Sequence, residues 1–180
     1  MPPLTLDKQS RYYLPHSTTC FICGAKNEVG LKCRFYADDR GAVHLEPIIS
    51  RKYAGFADVI HGGIQTAILD EAMGWCGFTQ TETRELFFTR ELNVKFKRNA
   101  PPLTPLFLEA SLTDVRRGFY HSQAKILDES GALLTLASGI FVPIPKAMMA
   151  QVNNQLLFID DGRRYLPKAM QVCKPRGSVD

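Results

Sequence analysis

The most restrictive feature of this 180-residue sequence is the stretch 61–78, HGGIQTAILDEAMGWCGF, whose apolar residues recur at helical spacing. Apolar residues also occupy the other faces of the predicted helix, and a helix that is apolar nearly all round is buried. The polar interruptions are Gln65, Thr66, Asp70 and Glu71. A buried carboxylate is costly unless it has partners or a function. The rest of the chain must therefore fold so that it covers this helix.

Alternating apolar and polar residues predict strands before and after the helix. The predicted strands span 31–37, 42–48, 87–98, 106–115, 119–127 and 132–142. The first two form a hairpin across a turn at 38–41, and tight turns join the last three strands into an antiparallel meander. The order β-β-α-β-β-β-β predicts an α+β fold, with one curved antiparallel sheet wrapped around one long central helix.

The two ends of the chain are more polar than the middle. We expect residues 1–19 to form an N-terminal arm with at most one short helix. Residues 20–143 form the predicted folded domain. Residues 144–180 are predicted to hold a helix over 147–158, followed by a polar tail that is mobile at its end.

Charge and composition exclude several functions. The 22 basic and 18 acidic residues give a net charge of +4, which is too small to indicate a nucleic-acid partner but suits a small phosphate-bearing ligand. No apolar run reaches the roughly 18 residues of a membrane-spanning helix, so no membrane partner is expected. The first residues lack the apolar core of an export signal, and the chain has five cysteines, which is an odd number. We therefore expect a cytoplasmic protein with reduced thiols.

The start of the predicted helix has the composition of an anion-binding turn. Backbone N–H groups in a first helical turn have no partner within the helix and carry the positive end of the helix dipole. His61-Gly62-Gly63 stands there, and glycine lets a ligand oxygen approach the backbone closely. Such a turn can serve as an oxyanion hole. Asp70 follows two helical turns later, and these residues alone leave it open whether that acid is structural or catalytic.

HGGIQTAILDEAMGW resembles the signature of hotdog-fold acyl-CoA thioesterases of the PaaI-like type, in which a carboxylate follows His-Gly-Gly nine residues after the histidine. CFICGAKNEVGL is similar to the CxxCG-x-x-N-x-x-GL opening of one branch of that superfamily, and TRELNVKFKRNAPP resembles its central strand. The resemblance runs from Cys20 to Val142. It implies a hotdog domain over 20–143 and, with no cofactor, a hydrolase that cleaves acyl-CoA to free acid and CoA. The alternative is a non-catalytic hotdog domain that binds acyl-CoA as a sensor or scaffold.

The resemblance also implies roles for individual residues. Gly62 would donate its backbone N–H to the thioester carbonyl, and Gly63 in the same turn is expected to contact the substrate. Asp70 would act as the general base for water or as the nucleophile. His61 would orient the turn or contact the carbonyl, and Thr89 matches a hydroxyl that positions the water in some relatives.

Helix geometry adds an argument for a dimer. Gly62 and Asp70 are eight residues apart, about 12 Å along a helix axis. Both groups must lie within about 3 Å of one reacting centre, which a single helix does not allow. Two antiparallel copies related by a twofold axis would satisfy this twice. We therefore expect a homodimer, with a dimer of dimers as the next level of assembly. Glu71 is the competing carboxylate, turned about 100° from Asp70 around the helix.

Basic residues are candidates for holding the phosphates of coenzyme A, since Arg and Lys suit phosphate. The candidates are Lys97, Arg98, Arg116 and Arg117. Taken singly, each is better explained by a solvated strand face or a basic turn. Met73 and Trp75 are expected in the core rather than in an acyl pocket, and His44 and His121 at the surface.

The pair Cys20-x-x-Cys23-Gly24 raises the question of a metal site. A four-ligand zinc site needs two further ligands at suitable spacing, and Cys33, His16 and His44 do not form a second pair. A redox CxxC is expected at a helix start near a βαβ unit, which is not predicted here. The sequence therefore favours a turn with two packed thiols, and no metal site is predicted.

Overall fold

The computed structural model describes residue 7, residues 10–82 and residues 85–158. The polar tail predicted beyond the C-terminal helix lies outside the described residues, as does most of the beginning of the arm. In chain order the elements are β1 (Tyr12–Tyr13), β2 (His16–Ser17), β3 (Tyr36–Ala37), β4 (Val43–Leu45), α1 (Gly62–Gln80), β5 (Phe87–Phe96), β6 (Phe107–Arg116), β7 (Phe119–Leu127), β8 (Leu133–Pro143), α2 (Lys146–Asn153) and β9 (Leu156–Leu157).

Within the part of the chain that the structure describes, the main sheet has seven strands in the order β1-β3-β4-β6-β7-β8-β5, and every neighbouring pair is antiparallel. Helix α1 packs across this sheet and contacts β4, β5, β6, β7 and β8. The predicted α+β class, with one long helix covered by an antiparallel sheet, is confirmed. The predicted meander is also present as β6, β7 and β8. Strand β5 lies at the edge of the sheet.

Helix α1 is buried on nearly every face, as its apolar composition predicts. Leu69, Ala72, Met73 and Cys76 are fully buried, and Trp75 is 7% exposed. Burying a Leu or Met side chain completely contributes about 1.5–3 kcal/mol, so this helix is the centre of the core. A methyl group at Gly77 would lie 2.4 Å from the ring of Phe87, so the glycine allows the close approach of β5. Among the described helices, none is long and apolar enough to cross a membrane.

The ends of the fold differ from the prediction. The segment predicted as an arm is paired with the rest of the chain, because β1 extends the main sheet beside β3 and β2 pairs with β9. Leu14 is buried and its N–H donates to the carbonyl of Phe35 at 3.0 Å. Two-residue strands are too short to produce a readable alternation. The helix predicted over 147–158 ends at Asn153, because the chain turns back there to form β9.

The predicted surface position of His44 was wrong. His44 is 9% exposed, stacks on Tyr36 with ring centroids 5.4 Å apart, and pairs through Nε2 with Oδ2 of Asp38 at 3.2 Å. The cause is the side chains beside it: Tyr36, its cross-strand partner on β3, stacks on the His44 ring, and Asp38 binds its Nε2 atom. Met73 and Trp75 are core residues, as predicted.

A buried polar contact fixes the start of α1 to the sheet. The side chain of Gln65 donates through Nε2 to the carbonyl of Ile60 at 2.8 Å, and its Oε1 accepts from Thr135 Oγ1 of β8 at 2.5 Å. Both groups are buried, so each hydrogen bond replaces one that water would otherwise make. Thr135 is paired with Phe96 of β5, and Gly62 lies against the Phe96 ring. The helix therefore starts beside the end of β5 and runs back toward the beginning of that strand.

Candidate active site

The first turn of α1 is capped by the side chain of its own preceding residue. The Nδ1 atom of His61 accepts a hydrogen bond from the backbone N–H of Gly63 at 2.9 Å. His61 is therefore the cap of α1, and the roles that the resemblance implied for it stay predictions. Within the described residues, the N–H of Gly62 has no intramolecular acceptor, so this amide remains available to a ligand oxygen.

A cleft of about 650 Å³ opens beside this turn. Its wall includes Gly62, Asn99 and the short loop before the helix. That loop is closed by a hydrogen bond from the N–H of Gly55 to the carbonyl of Val59 at 2.7 Å. Phe56 stands at its tip with 95% of its surface exposed. The sequence analysis did not identify this cleft.

Two residues of the same loop have unusual backbone angles. Ala57 has φ 49° and Asp58 has φ 57°. The left-handed region costs a non-glycine residue about 1–3 kcal/mol, and such residues cluster at ligand clamps and active sites. Their position beside the Gly62 turn strengthens the assignment of a functional site to this end of the helix. Alanine gives no signal of such a conformation in a sequence, and aspartate gives only a weak one.

The second part of the site lies two turns further along α1. Thr89 Oγ1 of β5 donates a hydrogen bond of 2.7 Å to Asp70 Oδ1. A β-bulge interrupts the pairing of β5 with β8 between Thr89 and Glu91, opposite Phe141 and Ile140. Bulges re-aim side chains and are common next to active sites. The structure therefore brings together Asp70 and Thr89, two of the residues that the resemblance singled out.

The surroundings of Asp70 make it a stronger base than an ordinary aspartate. Burial raises the pKa of its carboxyl group, and the nearby charge of Cys20 raises it further, while the hydrogen bond from Thr89 acts in the opposite direction. A general base is most effective when its pKa is moved toward the working pH. Asp70 nevertheless keeps access to solvent, since its side chain is only partly buried.

The competing carboxylate has different surroundings. Oε2 of Glu71 lies 3.1 Å from Sγ of Cys20. Burial raises the pKa of Glu71 to about 8, and the charge of Cys20 adds to this effect. The neighbouring acids of α1 therefore belong to two different groups of side chains, in agreement with the predicted rotation between them.

The four basic candidates do not lie together in one chain. Lys97 and Arg98 follow the end of β5 and are exposed, directly before Asn99 of the cleft. Arg116 is the last residue of β6, where it is paired with Asp114, and Arg117 lies in the turn that leads to β7. The strand register aligns that turn with the beginning of β5, at the opposite end of the sheet from the cleft.

A single chain also keeps Gly62 and Asp70 apart. Both lie on the uninterrupted helix α1, eight residues from one another. This spacing corresponds to about 12 Å along the axis. The isolated chain therefore does not bring the free amide and the acid to one reacting atom.

Comparison with known proteins identifies the fold. Residues 57–135, which include the Gly62 turn, Asp70 and Thr89, match the family model described as Thioesterase superfamily. Over these residues the chain is similar to the thioesterase superfamily. Its long helix and antiparallel sheet are those of the hotdog fold. The recognition made from the residues around His61 is thereby confirmed.

Solved structures agree with this fold. A thioesterase superfamily protein is 21% identical, with a TM-score of 0.64 over 68% of this chain and 59% of that chain. The PaaI protein of the E. coli phenylacetic acid degradation operon is 15% identical, with a TM-score of 0.57 over 64% of this chain and 81% of that one. The protein smu.793 of Streptococcus mutans, solved bound to acetyl-CoA, is 12% identical, with a TM-score of 0.56 over 62% of this chain and 88% of that one.

A curated relative is the verlamelin biosynthesis protein B of a Lecanicillium species, which is 29% identical over a match covering 53% of this chain and 54% of that protein. The chain therefore spans about half the length of this relative.

Proposed function

We propose that the thioesterase-superfamily domain hydrolyses acyl-coenzyme A thioesters to the free acid and coenzyme A. The observation that carries this proposal is the 2.7 Å hydrogen bond between Thr89 and Asp70, beside the central helix whose first turn presents the free Gly62 amide. A structural neighbour bound to acetyl-CoA supports a coenzyme A ester as the ligand class. No cofactor is required by this reaction.

In the proposed mechanism, Asp70 accepts a proton from a water molecule whose oxygen attacks the thioester carbon. Thr89 donates a hydrogen bond to Asp70, so the lone pairs of its hydroxyl oxygen can accept a hydrogen bond from that water. The carbonyl oxygen becomes negatively charged and accepts a hydrogen bond from the Gly62 N–H. The C–S bond then breaks, and the coenzyme A thiolate recovers a proton from Asp70. The nucleophilic variant, in which the Asp70 carboxylate attacks first, uses the same contacts.

Two copies of the chain complete the site in this proposal. If the helix of a second copy runs antiparallel, it can bring its own Asp70 to the Gly62 of the first copy. The 12 Å between Gly62 and Asp70 along one helix is then no obstacle, because the two groups come from different chains. Strand β5 is the sheet edge beside this helix and exposes Phe88 and Phe96, which are 42% and 52% accessible. A homodimer formed along this edge would cover these rings and create two equivalent sites.

The phosphate end of coenzyme A is assigned to the basic residues at the cleft. Arg98 and Lys97 are exposed and adjoin Asn99, on the same side of the domain as Gly62. A nucleotide held there would point its thioester arm toward the helix start. Arg116 and Arg117 become less suitable within one chain, because they lie at the far end of the sheet.

A thiol-release assay over a panel of acyl-CoAs of different acyl length and aromaticity tests the proposal. The wild-type protein should release coenzyme A, and Asp70→Asn should lower kcat by about 10²–10⁴, the range expected for loss of a general base. Asp39→Asn, at an exposed turn, is the matched control and should keep wild-type kinetics. Saturable binding of acyl-CoA without thiol release would refute hydrolysis and identify a non-catalytic acyl-CoA-binding domain. Full activity of Asp70→Asn would refute the assigned acid.

A further inference from the structure

Three potential ligand atoms from distant parts of the chain converge beside helix α1. Sγ of Cys20, Sγ of Cys23 and a carboxylate oxygen of Glu71 all lie within 4.8 Å of one another. Cys20 and Glu71 are 51 positions apart in the sequence. The two cysteines come from the loop after β2, whereas Glu71 projects from the middle of the helix. We call these three residues the Cys–Glu cluster.

The loop that carries the cysteines is built to support thiolates. The N–H of Ile22 donates to Sγ of Cys20, and the N–H of Ser17 donates to Sγ of Cys23, each at 3.3 Å. These bonds favour the charged form of sulfur, as hydrogen bonds to any anion do. The turn is tight, because a side chain at Gly24 would lie 2.1 Å from the carbonyl oxygen of Cys20. Only glycine fits there without moving the backbone.

The packing of the Cys–Glu cluster favours a bound cation. Two thiols and a carboxyl group share one space beside the helix, and Glu71 Oε2 lies 3.1 Å from Sγ of Cys20. Thiolate and carboxylate groups at this separation would repel one another. A divalent cation between them would replace that repulsion by a bond to each group.

We propose that Cys20, Cys23 and Glu71 bind a divalent cation of the zinc class. Tetrahedral bonds of about 2.3 Å to sulfur and 2.0–2.2 Å to oxygen place two sulfurs about 3.8 Å apart and sulfur and oxygen about 3.5 Å apart. The donor atoms already lie within 4.8 Å of one another, so small side-chain rotations suffice. Two thiolates select zinc over magnesium or calcium, and a water molecule fills the fourth position. Protons held by the three ligand groups leave to solvent on binding.

The bound cation would act as a clamp between the N-terminal segment and the central helix. The segment is already held by β1, β2 and the His16 Nδ1 contact to the carbonyl of Cys23 at 2.6 Å. A metal bond to Glu71 would add a link to the residue next to Asp70. The sequence favoured two packed thiols because the third ligand lies in a helix far along the chain. This inference does not depend on the proposed hydrolysis.

Cobalt(II) titration of the full chain, reduced and freed of metal with a chelator, tests the proposal. One equivalent of Co²⁺ should produce the charge-transfer absorption of cobalt bound to thiolate, and Zn²⁺ should abolish it whereas Mg²⁺ should not. Cys20→Ser, Cys23→Ser and Glu71→Gln should each weaken binding by at least about 100-fold, beyond the loss expected for an outer-shell partner. Cys76→Ser, which replaces a fully buried thiol outside the Cys–Glu cluster, is the matched control and should bind cobalt as the wild type does.

A second measurement needs no substitution and therefore does not depend on whether the variants fold. Cys20 is partly exposed, so iodoacetamide should label it in the metal-free protein, and stoichiometric Zn²⁺ should protect it. The proposal is wrong if the reduced wild-type chain shows no thiolate-to-cobalt band and no protection by Zn²⁺. It is equally wrong if Glu71→Gln binds as tightly as the wild type, or if the pair forms a Cys20–Cys23 disulfide that reduction does not convert into a metal site. None of these outcomes bears on thioester hydrolysis, which the thiol-release assay measures separately.

Discussion

Replacing Thr89 by valine isolates the contribution of one hydrogen bond to the proposed site. Valine keeps the branched shape that suits strand β5 and removes the hydroxyl that donates to Asp70 at 2.7 Å. In the proposed mechanism the same hydroxyl also holds the attacking water. Thr89→Val should therefore lower kcat and leave the KM for acyl-CoA nearly unchanged, because the hydroxyl contacts the reacting water and not the coenzyme.

The size of the effect follows from the kind of bond that is lost. A hydrogen bond to a charged group contributes about 1.5–3 kcal/mol. At about 1.36 kcal/mol for each factor of ten in rate, its loss lowers kcat by about 10- to 150-fold. Thr89→Ser keeps a hydroxyl on the same carbon and should recover most of this loss.

Steady-state thiol release at saturating and at limiting acyl-CoA separates kcat from KM for these variants. Thr113→Val is the matched control, because Thr113 is another exposed strand threonine and its hydroxyl donates only to the carbonyl of His121, at 2.9 Å. The reasoning fails if Thr89→Val has wild-type kcat. It fails also if Thr89→Ser is as impaired as Thr89→Val, since the defect would then come from packing and not from the hydroxyl.

Two further predictions concern other charged groups. Burial opposes the charge of Asp38, but hydrogen bonds from His44 and two backbone N–H groups outweigh it and hold the pKa of Asp38 below its ordinary value. A carboxyl group whose pKa is lower in the folded state stabilises the fold above its unfolded pKa, near 4, and loses this contribution as the pH falls through the folded pKa. Asp38→Asn should therefore lower the free energy of unfolding by about 1–3 kcal/mol at neutral pH, and urea titration should show this deficit shrinking below about pH 4. Arg98→Ala should raise the KM for acyl-CoA without changing kcat, and it should weaken the dependence of KM on salt. Lys26→Ala, in an exposed loop away from the cleft, is the control and should leave the KM and its salt dependence as they are. Unchanged kinetics of Arg98→Ala would place the phosphates elsewhere.

Much of the fold could be predicted because its central element has the clearest sequence signal. The apolar stretch starting at His61 predicted a helix over 61–78, and the helix runs from Gly62 to Gln80 with His61 as its cap. The long strands after it were likewise predicted from their alternation. The strands before it are much shorter than predicted. Lys32, with φ 55°, leaves the extended conformation that the alternating pattern of 31–37 suggested.

The candidate site was predictable only in part. The order of His61, Gly62 and Asp70 along one helix is visible in the sequence, and the resemblance added Thr89, which the structure places on Asp70. The bulge that aims Thr89 was not predicted. A bulge shifts the alternation by one residue, and the adjacent Phe87 and Phe88 hide that shift in the sequence because either could be the inward-facing residue. The catalytic roles of these residues stay predictions.

Contacts between distant segments were the least predictable feature. The approach of Cys20 to Glu71 depends on how the N-terminal segment packs on the helix, and the sequence shows only a pair of cysteines and an acid 51 positions from the first. The assignment of the two neighbouring acids to different surroundings follows from helix rotation. What surrounds Glu71 could be learned only from the folded chain.

The central claim is that one active site needs Gly62 from one copy and Asp70 from another, and mixing two inactive variants tests it most directly. Gly62→Val should be inactive because the valine side chain would obstruct the amide and meet the Phe96 ring, which lies 3.1 Å from the position of the first added carbon. Asp70→Asn should be inactive because it lacks the base. When the two are unfolded together in equal amounts and refolded, half of the dimers are heterodimers and each of these has one intact site, so about a quarter of the wild-type activity should return. A mixture that stays as inactive as its two components, although heterodimers are shown to form, would contradict the shared site.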